Sequence, residues 1–171
     1  MEYSNKLKLD NIISKLNNYV IIKKPNYFPN YYDFSDLDIV INKNDIKNIT
    51  NIIKNELNCY NGYYKIIDTN GHLQIDYYEK NHNKLNFKFD FLYDLSQAYK
   101  KSKFKDNFIN IVLSEKIKEN NIFIPKLEHE LIFRWVEYKE YIDIRKDKIK
   151  HLIFINKYNI DINELKIKYL I

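Results

Sequence analysis

Two segments of strict alternation constrain this chain more than any other feature. In DLDIVIN (36–42), Leu37, Ile39 and Ile41 fall on one side, and Asp36, Asp38 and Val40 on the other. In KLNFKFDFLYDL (84–95), Phe87, Phe89 and Phe91 share one side, and Lys88 and Asp90 the other. Successive side chains of a strand project to opposite faces, so a period of two marks each segment as a strand with one apolar side. Both strands carry aspartate at their centre. An acid flanked by Phe89 and Phe91 costs on the order of several kcal/mol if left unpaired, so a partner for Asp90 is expected.

Spacing organises the rest. Residues 4–18, SNKLKLDNIISKLNN, place Leu7, Leu9, Ile12, Ile13 and Leu16 near helical intervals. YVIIKK (19–24) reads as a short buried strand, and a loop punctuated by Pro25 and Pro29 follows it. Asn44 or Asp45 can cap a helix through IKNITNIIKNEL, with Ile46, Ile49, Ile52, Ile53 and Leu57 on its apolar face. YYKIID and HLQIDYYE flank Thr69, Asn70 and Gly71, an Asn-Gly hairpin signal. A helix is expected around DNFINIVLSEKIKEN, then an extended NIFIP ending at Pro125, then three helices from Lys126 onward. The order α-β-β-α-β-β-β followed by helices predicts an α+β fold. It implies a mixed or antiparallel sheet flanked by helices: a core over 1–125 and a C-terminal helical extension over 126–171, packed as a single domain.

Composition narrows the function classes. The 171 residues are 45% hydrophobic and carry a net charge of +5, which by itself invites a nucleic-acid partner. Yet the lysines are scattered among acids, and Arg134 and Arg145 are the only arginines, so no basic footprint argues for one. The lone Cys59 excludes an internal disulfide and a cysteine-rich zinc site, and it reads as packing. No stretch approaches the roughly 20 apolar residues of a membrane span. MEYSNKLKLD lacks the apolar centre of a signal peptide, so a cytoplasmic protein with no membrane association is the expectation.

The chemistry is concentrated in the acids. Asp36 and Asp38 lie two residues apart on one strand face, with Cα atoms about 6.5–7 Å apart, so their carboxylates can converge on divalent cations. Hard cations such as Mg²⁺ take oxygen ligands and share them with substrate phosphates. A third acid from a neighbouring strand completes such a site; Asp90 is the candidate and Asp76, in LQIDYY, the alternative. A D-x-D pair can equally cap a strand, and Asp33, out of register, reads as a turn residue. His72 shares parity with Asp76, as a wall of an acceptor pocket or as a hairpin end facing solvent. Arg134 offers a five-donor fork to a phosphate, or an ion pair to Glu130 or Glu137. Arg145, Lys148 and His151 recur at i, i+3 and i+6, as a basic wall or a solvated face. His82 and His129 read as surface residues, and Trp135 and the tyrosines as filler.

Taken together, YVIIKK, SDLDIVI, KFDFL and the tail IPKLEHELIFRWVEYKEYIDIRKDKIKHL resemble the nucleotidyltransferase superfamily typified by DNA polymerase β. The likeness spans about residues 10 to 155 and includes small bacterial members tied to capsule and surface-polysaccharide loci. It implies Asp36, Asp38 and Asp90 as catalytic ligands of Mg²⁺ or Mn²⁺. Lys23, Lys24 and Ser35 would contact the nucleotide, and His72, Asp76, Arg134, Arg145, Lys148 and His151 the acceptor. The implied partners are a nucleoside triphosphate, ATP or CTP, and a phosphorylated or sugar-like small molecule; a homodimer is compatible with it. One departure stands out: where the superfamily carries a Gly-Ser turn, this chain has Lys23-Lys24. That departure also fits a catalytically lost relative, an antitoxin or binding module acting on a partner protein or RNA.

Overall fold

The computed structural model describes residues 2–80 and 83–171, and the two alternating segments lie at its centre. Strands β1 (Tyr19–Ile21), β2 (Ser35–Ile41), β3 (Gly62–Thr69), β4 (His72–Glu79) and β5 (Leu85–Leu92) form one sheet in the order β1-β2-β5-β4-β3. β2 and β5 run parallel, and every other neighbouring pair is antiparallel, so the sheet is mixed. Strands β6 (Ile117–Glu119) and β7 (Ile122–Ile124) make a separate hairpin. The helices are α1 (Leu9–Ile13), α2 (Ile46–Leu57), α3 (Leu95–Ala98), α4 (Phe108–Ser114), α5 (Leu127–Tyr141), α6 (Ile149–Ile155) and α7 (Ile162–Tyr169). The fold is α+β, a five-stranded mixed sheet flanked by helices with further helices at the C-terminal end.

The alternation explains the layering. On one side of the sheet, Leu37, Ile39 and Ile41 join Phe87, Phe89 and Phe91 in a core with Ile12 and Ile13 of α1 and Ile49 and Ile53 of α2. Each such fully buried side chain contributes about 1.5–3 kcal/mol. On the other side, Val20, Ile22, Val40 and Leu92 pack under Val112 of α4, Leu131 and Phe133 of α5, Ile155 of α6 and Leu165 of α7. Asp36, Asp38 and Asp90 share this second side but precede Val40 and Leu92 along their strands. They lie where the apolar helical cover stops.

Local chemistry sets several boundaries. The β3–β4 hairpin closes over Asn70 and Gly71 alone, since Thr69 pairs with His72. Gly71 has φ +100, and an added Cβ would lie 2.5 Å from the Asp94 carbonyl oxygen, so glycine is required on two counts. Asp45 is the N-cap residue of α2, though its side chain makes no cap bond; Asn42 caps the turn before it, its side-chain oxygen accepting from the Asn44 N–H at 2.9 Å. The first helix is shorter than its apolar spacing implies. The helix expected over 106–120 stops at Ser114, because Asn120 and Asn121, at φ +46 and +68, turn the chain and pair 117–119 with β7. Cys59 is exposed rather than packed, and His129 is wholly buried rather than superficial. His82 lies outside the described residues. No helix of the described residues is long and apolar enough to cross a membrane.

Candidate functional site

The parallel pairing of β2 with β5 sets Asp38 directly opposite Asp90, and Asp36 opposite Lys88. β4 extends both rows, with Gln74 beside Asp90 and Asp76 beside Lys88. Like charges directly opposite on neighbouring strands repel, so the Asp38–Asp90 pair needs compensation. Each acid has its own basic partner. Lys23 Nζ lies 2.7 Å from Asp38 Oδ2, and His72 Nε2 lies 3.3 Å from Asp90 Oδ1. The second contact is close but badly angled: both atoms are buried and neither makes a hydrogen bond. The Asp90 carboxylate nevertheless draws the His72 pKa upward. Asp36 has no cationic partner among the described residues. Partial desolvation and the neighbouring charges of Asp38 and Asp90 raise its carboxyl above the ordinary aspartate range.

Facing the acids is a buried ionic hub on α5. Lys23 Nζ also lies 2.8 Å from Glu137 Oε1, while Glu137 Oε2 accepts from Lys148 Nζ at 2.7 Å and lies 3.2 Å from His151 Nε2. Burial alone would raise the Glu137 pKa, but His151, Lys23 and Lys148 together hold it well below the usual carboxylate range. Burial would lower Lys23, but Asp38 and Glu137 outweigh it and keep the ammonium charged. Burial lowers the His151 pKa despite the nearby Glu137 carboxylate. One turn earlier on α5, Arg134 donates twice to Glu130 Oε1, at 2.8 and 2.5 Å, and stacks 3.8 Å over the Phe154 ring. Lys23 has φ +56, the left-handed region that favours glycine, so the β1 exit is strained at the residue that reaches both acids.

Two clefts meet over these groups. One of about 350 Å³ is lined by Lys23, Asp36, Asp38, Arg134, Glu137, Arg145, Lys148 and His151, among others. The other, about 210 Å³, adds Asp90, His72 and Tyr99 to Asp36, Asp38 and Glu137. Tyr99 is fully buried, which pushes its hydroxyl well above the ordinary tyrosine pKa.

Nine of the twelve residues singled out from the sequence line these clefts: Lys23, Asp36, Asp38, His72, Asp90, Arg134, Arg145, Lys148 and His151. The other three lie elsewhere. Lys24 turns to Glu119 of β6, 3.3 Å away. Ser35 closes a turn, its hydroxyl donating to the Tyr32 carbonyl at 2.6 Å and accepting from the Tyr32 N–H. Asp76 shares the sheet side but accepts from Gln74 at 2.8 Å and lines neither cleft. Arg134 is paired with Glu130, one of its two sequence-level partners. The hub itself, Glu137, figured in the sequence only as a possible partner of Arg134, three residues earlier on α5.

The donor set is mixed: hard carboxylate oxygens on the strands, with ammonium and guanidinium groups opposite. The strand side suits a divalent cation, and the helix side suits phosphate oxygens. Asp36, Asp38 and Asp90 are not drawn into a tight cluster; among the described residues, Glu115, Glu128 and His129 form a group with ligand atoms all within 4.8 Å of one another. No family model, curated protein or solved structure matches the chain.

Proposed function

We propose that the protein is a metal-dependent nucleotidyltransferase that transfers a nucleoside monophosphate from a triphosphate to a phosphorylated or sugar-like small molecule. The observation that carries this reading is the Asp38–Asp90 opposition across parallel strands, beside a cleft walled by Lys148, Arg145 and Arg134. The residues fit a hard dication in donor chemistry. Three carboxylates share one sheet side, and the buried Asp90 Oδ1 makes no hydrogen bond. Asp36, Asp38 and Asp90 would hold the ion; when bound, Mg²⁺ supplies charge neutralisation at the phosphates and a more acidic acceptor hydroxyl.

The remaining work falls to the chain. Lys148 and Arg145 orient the triphosphate, with Arg134 held behind them by Glu130. Asp90 Oδ1 takes the proton of the acceptor oxygen, and His72 Nε2 stands 3.3 Å from that same carboxylate oxygen. The acceptor oxygen forms a bond to the α-phosphorus, the bond from that phosphorus to the bridging oxygen breaks, and pyrophosphate leaves. Positioning and charge compensation account for most of the rate in such transfers. Calorimetry of the full chain with Mg²⁺ and each nucleoside triphosphate should show saturable binding. Asp38→Asn should remove the binding and lower transfer by at least ~100-fold. Failure of every triphosphate to bind overturns the enzyme reading.

One observation favours a second reading. Lys23 already bridges Asp38 and Glu137 where an ion would otherwise compete. A catalytically lost antitoxin or binding module, acting on a partner protein or RNA, would keep that ion pair and need no metal. Its signature is the absence of Mg²⁺-dependent nucleotide binding, with Asp38→Asn and the wild type alike in that assay.

A further inference from the structure

Away from the sheet, a second titratable cluster forms where α4, the β6–β7 hairpin and α5 meet. Glu115 directly follows α4, and the hairpin reverses the chain so that Glu128 and His129, in the first turn of α5, come back beside it. His129 is wholly buried, with the rings of Phe108 and Tyr169 packed edge-on at 5.7 and 5.3 Å. Neither ring nitrogen makes a hydrogen bond. Nε2 nevertheless points into the acids, 3.4 Å from Glu115 Oε2 and 3.7 Å from Glu128 Oε1. A buried imidazole with both nitrogens unpartnered is unfavourable, and its Nε2 is placed with the two carboxylates around a point that a cation could occupy.

We propose that Glu115, Glu128 and His129 form a binding site for a divalent transition metal of the zinc class. One imidazole nitrogen and two carboxylate oxygens are ordinary zinc ligands, and a water completes four-coordination. The imidazole selects against Mg²⁺ and Ca²⁺, so this site differs in chemistry as well as place from the aspartate site. Two lysines contend for the carboxylates: Lys126 Nζ lies 3.1 Å from Glu115 Oε2, and Lys168 Nζ lies 3.0 Å from Glu128 Oε2. Both side chains are about half exposed, at 46% and 56%, and such surface pairs are weak enough for an ion to displace. Glu128 can keep Lys168 on one oxygen and offer the other. Because Tyr169 packs on His129, the ion would tie the end of α7 to the start of α5.

The full chain, stripped with a chelator and titrated with Zn²⁺ in the presence of excess Mg²⁺, should bind one zinc ion per chain with a rise in melting temperature. Glu115→Gln and Glu128→Gln lie at partly exposed positions, and each should weaken binding at least ~10-fold. Asp90→Asn should leave it unchanged, and Co²⁺ should give the visible absorption of a four-coordinate site. Absence of zinc binding, binding indifferent to both glutamine variants, or binding lost in Asp90→Asn overturns the proposal. His129→Ala serves as a third variant if it folds. None of these outcomes depends on triphosphate binding, so this site and the transfer reading fail independently.

Discussion

On one side of β2 and β5, Leu37, Ile39, Phe87, Phe89 and Phe91 are buried under two helices; on the other, the same strands carry Asp36, Asp38, Lys88 and Asp90. The two sides share one backbone and differ in what fixes their geometry. Packing holds the apolar side. The acidic side is held by register, and its repulsion is met by Lys23 and His72 arriving from neighbouring elements. The lesson is that the dry side bears the stability that lets two aspartates face each other on the wet one.

That division can be broken in order of effect. Phe89→Ala should lower unfolding stability by about 3–5 kcal/mol in urea denaturation, because it opens a cavity beneath both acids. A loss under ~1 kcal/mol would show that the acids do not depend on this scaffold. Glu137→Gln should cost less, about 1–3 kcal/mol, since Lys23 keeps Asp38 while Lys148 loses its charged partner. Glu137 has a depressed pKa, so its contribution is present above the ordinary glutamate value of 4.5 and fades as pH falls below it. Melting curves of wild type and Glu137→Gln should therefore converge in acid; parallel curves would place the hub outside the stability balance.

Asp36 has the opposite sign and the smallest effect. Its pKa is raised, so the protonated form favours the fold below the aspartate reference of 3.8, and that advantage is lost as pH rises through the folded value. Asp36→Asn should thus stabilise the protein near pH 7, by less than ~1 kcal/mol because the side chain remains exposed, and the gain should vanish at low pH. Destabilisation by Asp36→Asn at neutral pH would mean that the acidic side is not under repulsion.

Much of this layout was legible in the residues themselves. Alternation identified β2 and β5 and the shared side of their aspartates, and Asn-Gly located the β3–β4 turn. Period alone could not tell that the two strands are parallel neighbours, because that depends on the excursion of β3 and β4 between them. The hub at Glu137 was equally hidden, since Lys23 reaches it from the exit of β1 while Lys148 and His151 reach it from the start of α6. Helical spacing misread 117–119 because Asn120 and Asn121 reverse the chain through positive φ without any glycine. His129 was misplaced for a similar reason: a polar stretch such as LEHEL says nothing about the aromatic rings that fold over it.

The left-handed backbone at Lys23 limits how position 23 can vary. An L side chain there costs on the order of 1–2 kcal/mol that glycine would avoid. Glycine would relax the turn and discard the charge between Asp38 and Glu137. Arginine would keep the charge and also the strain. No single replacement improves both backbone and electrostatics, so position 23 trades the comfort of the chain against the polarity of the cleft.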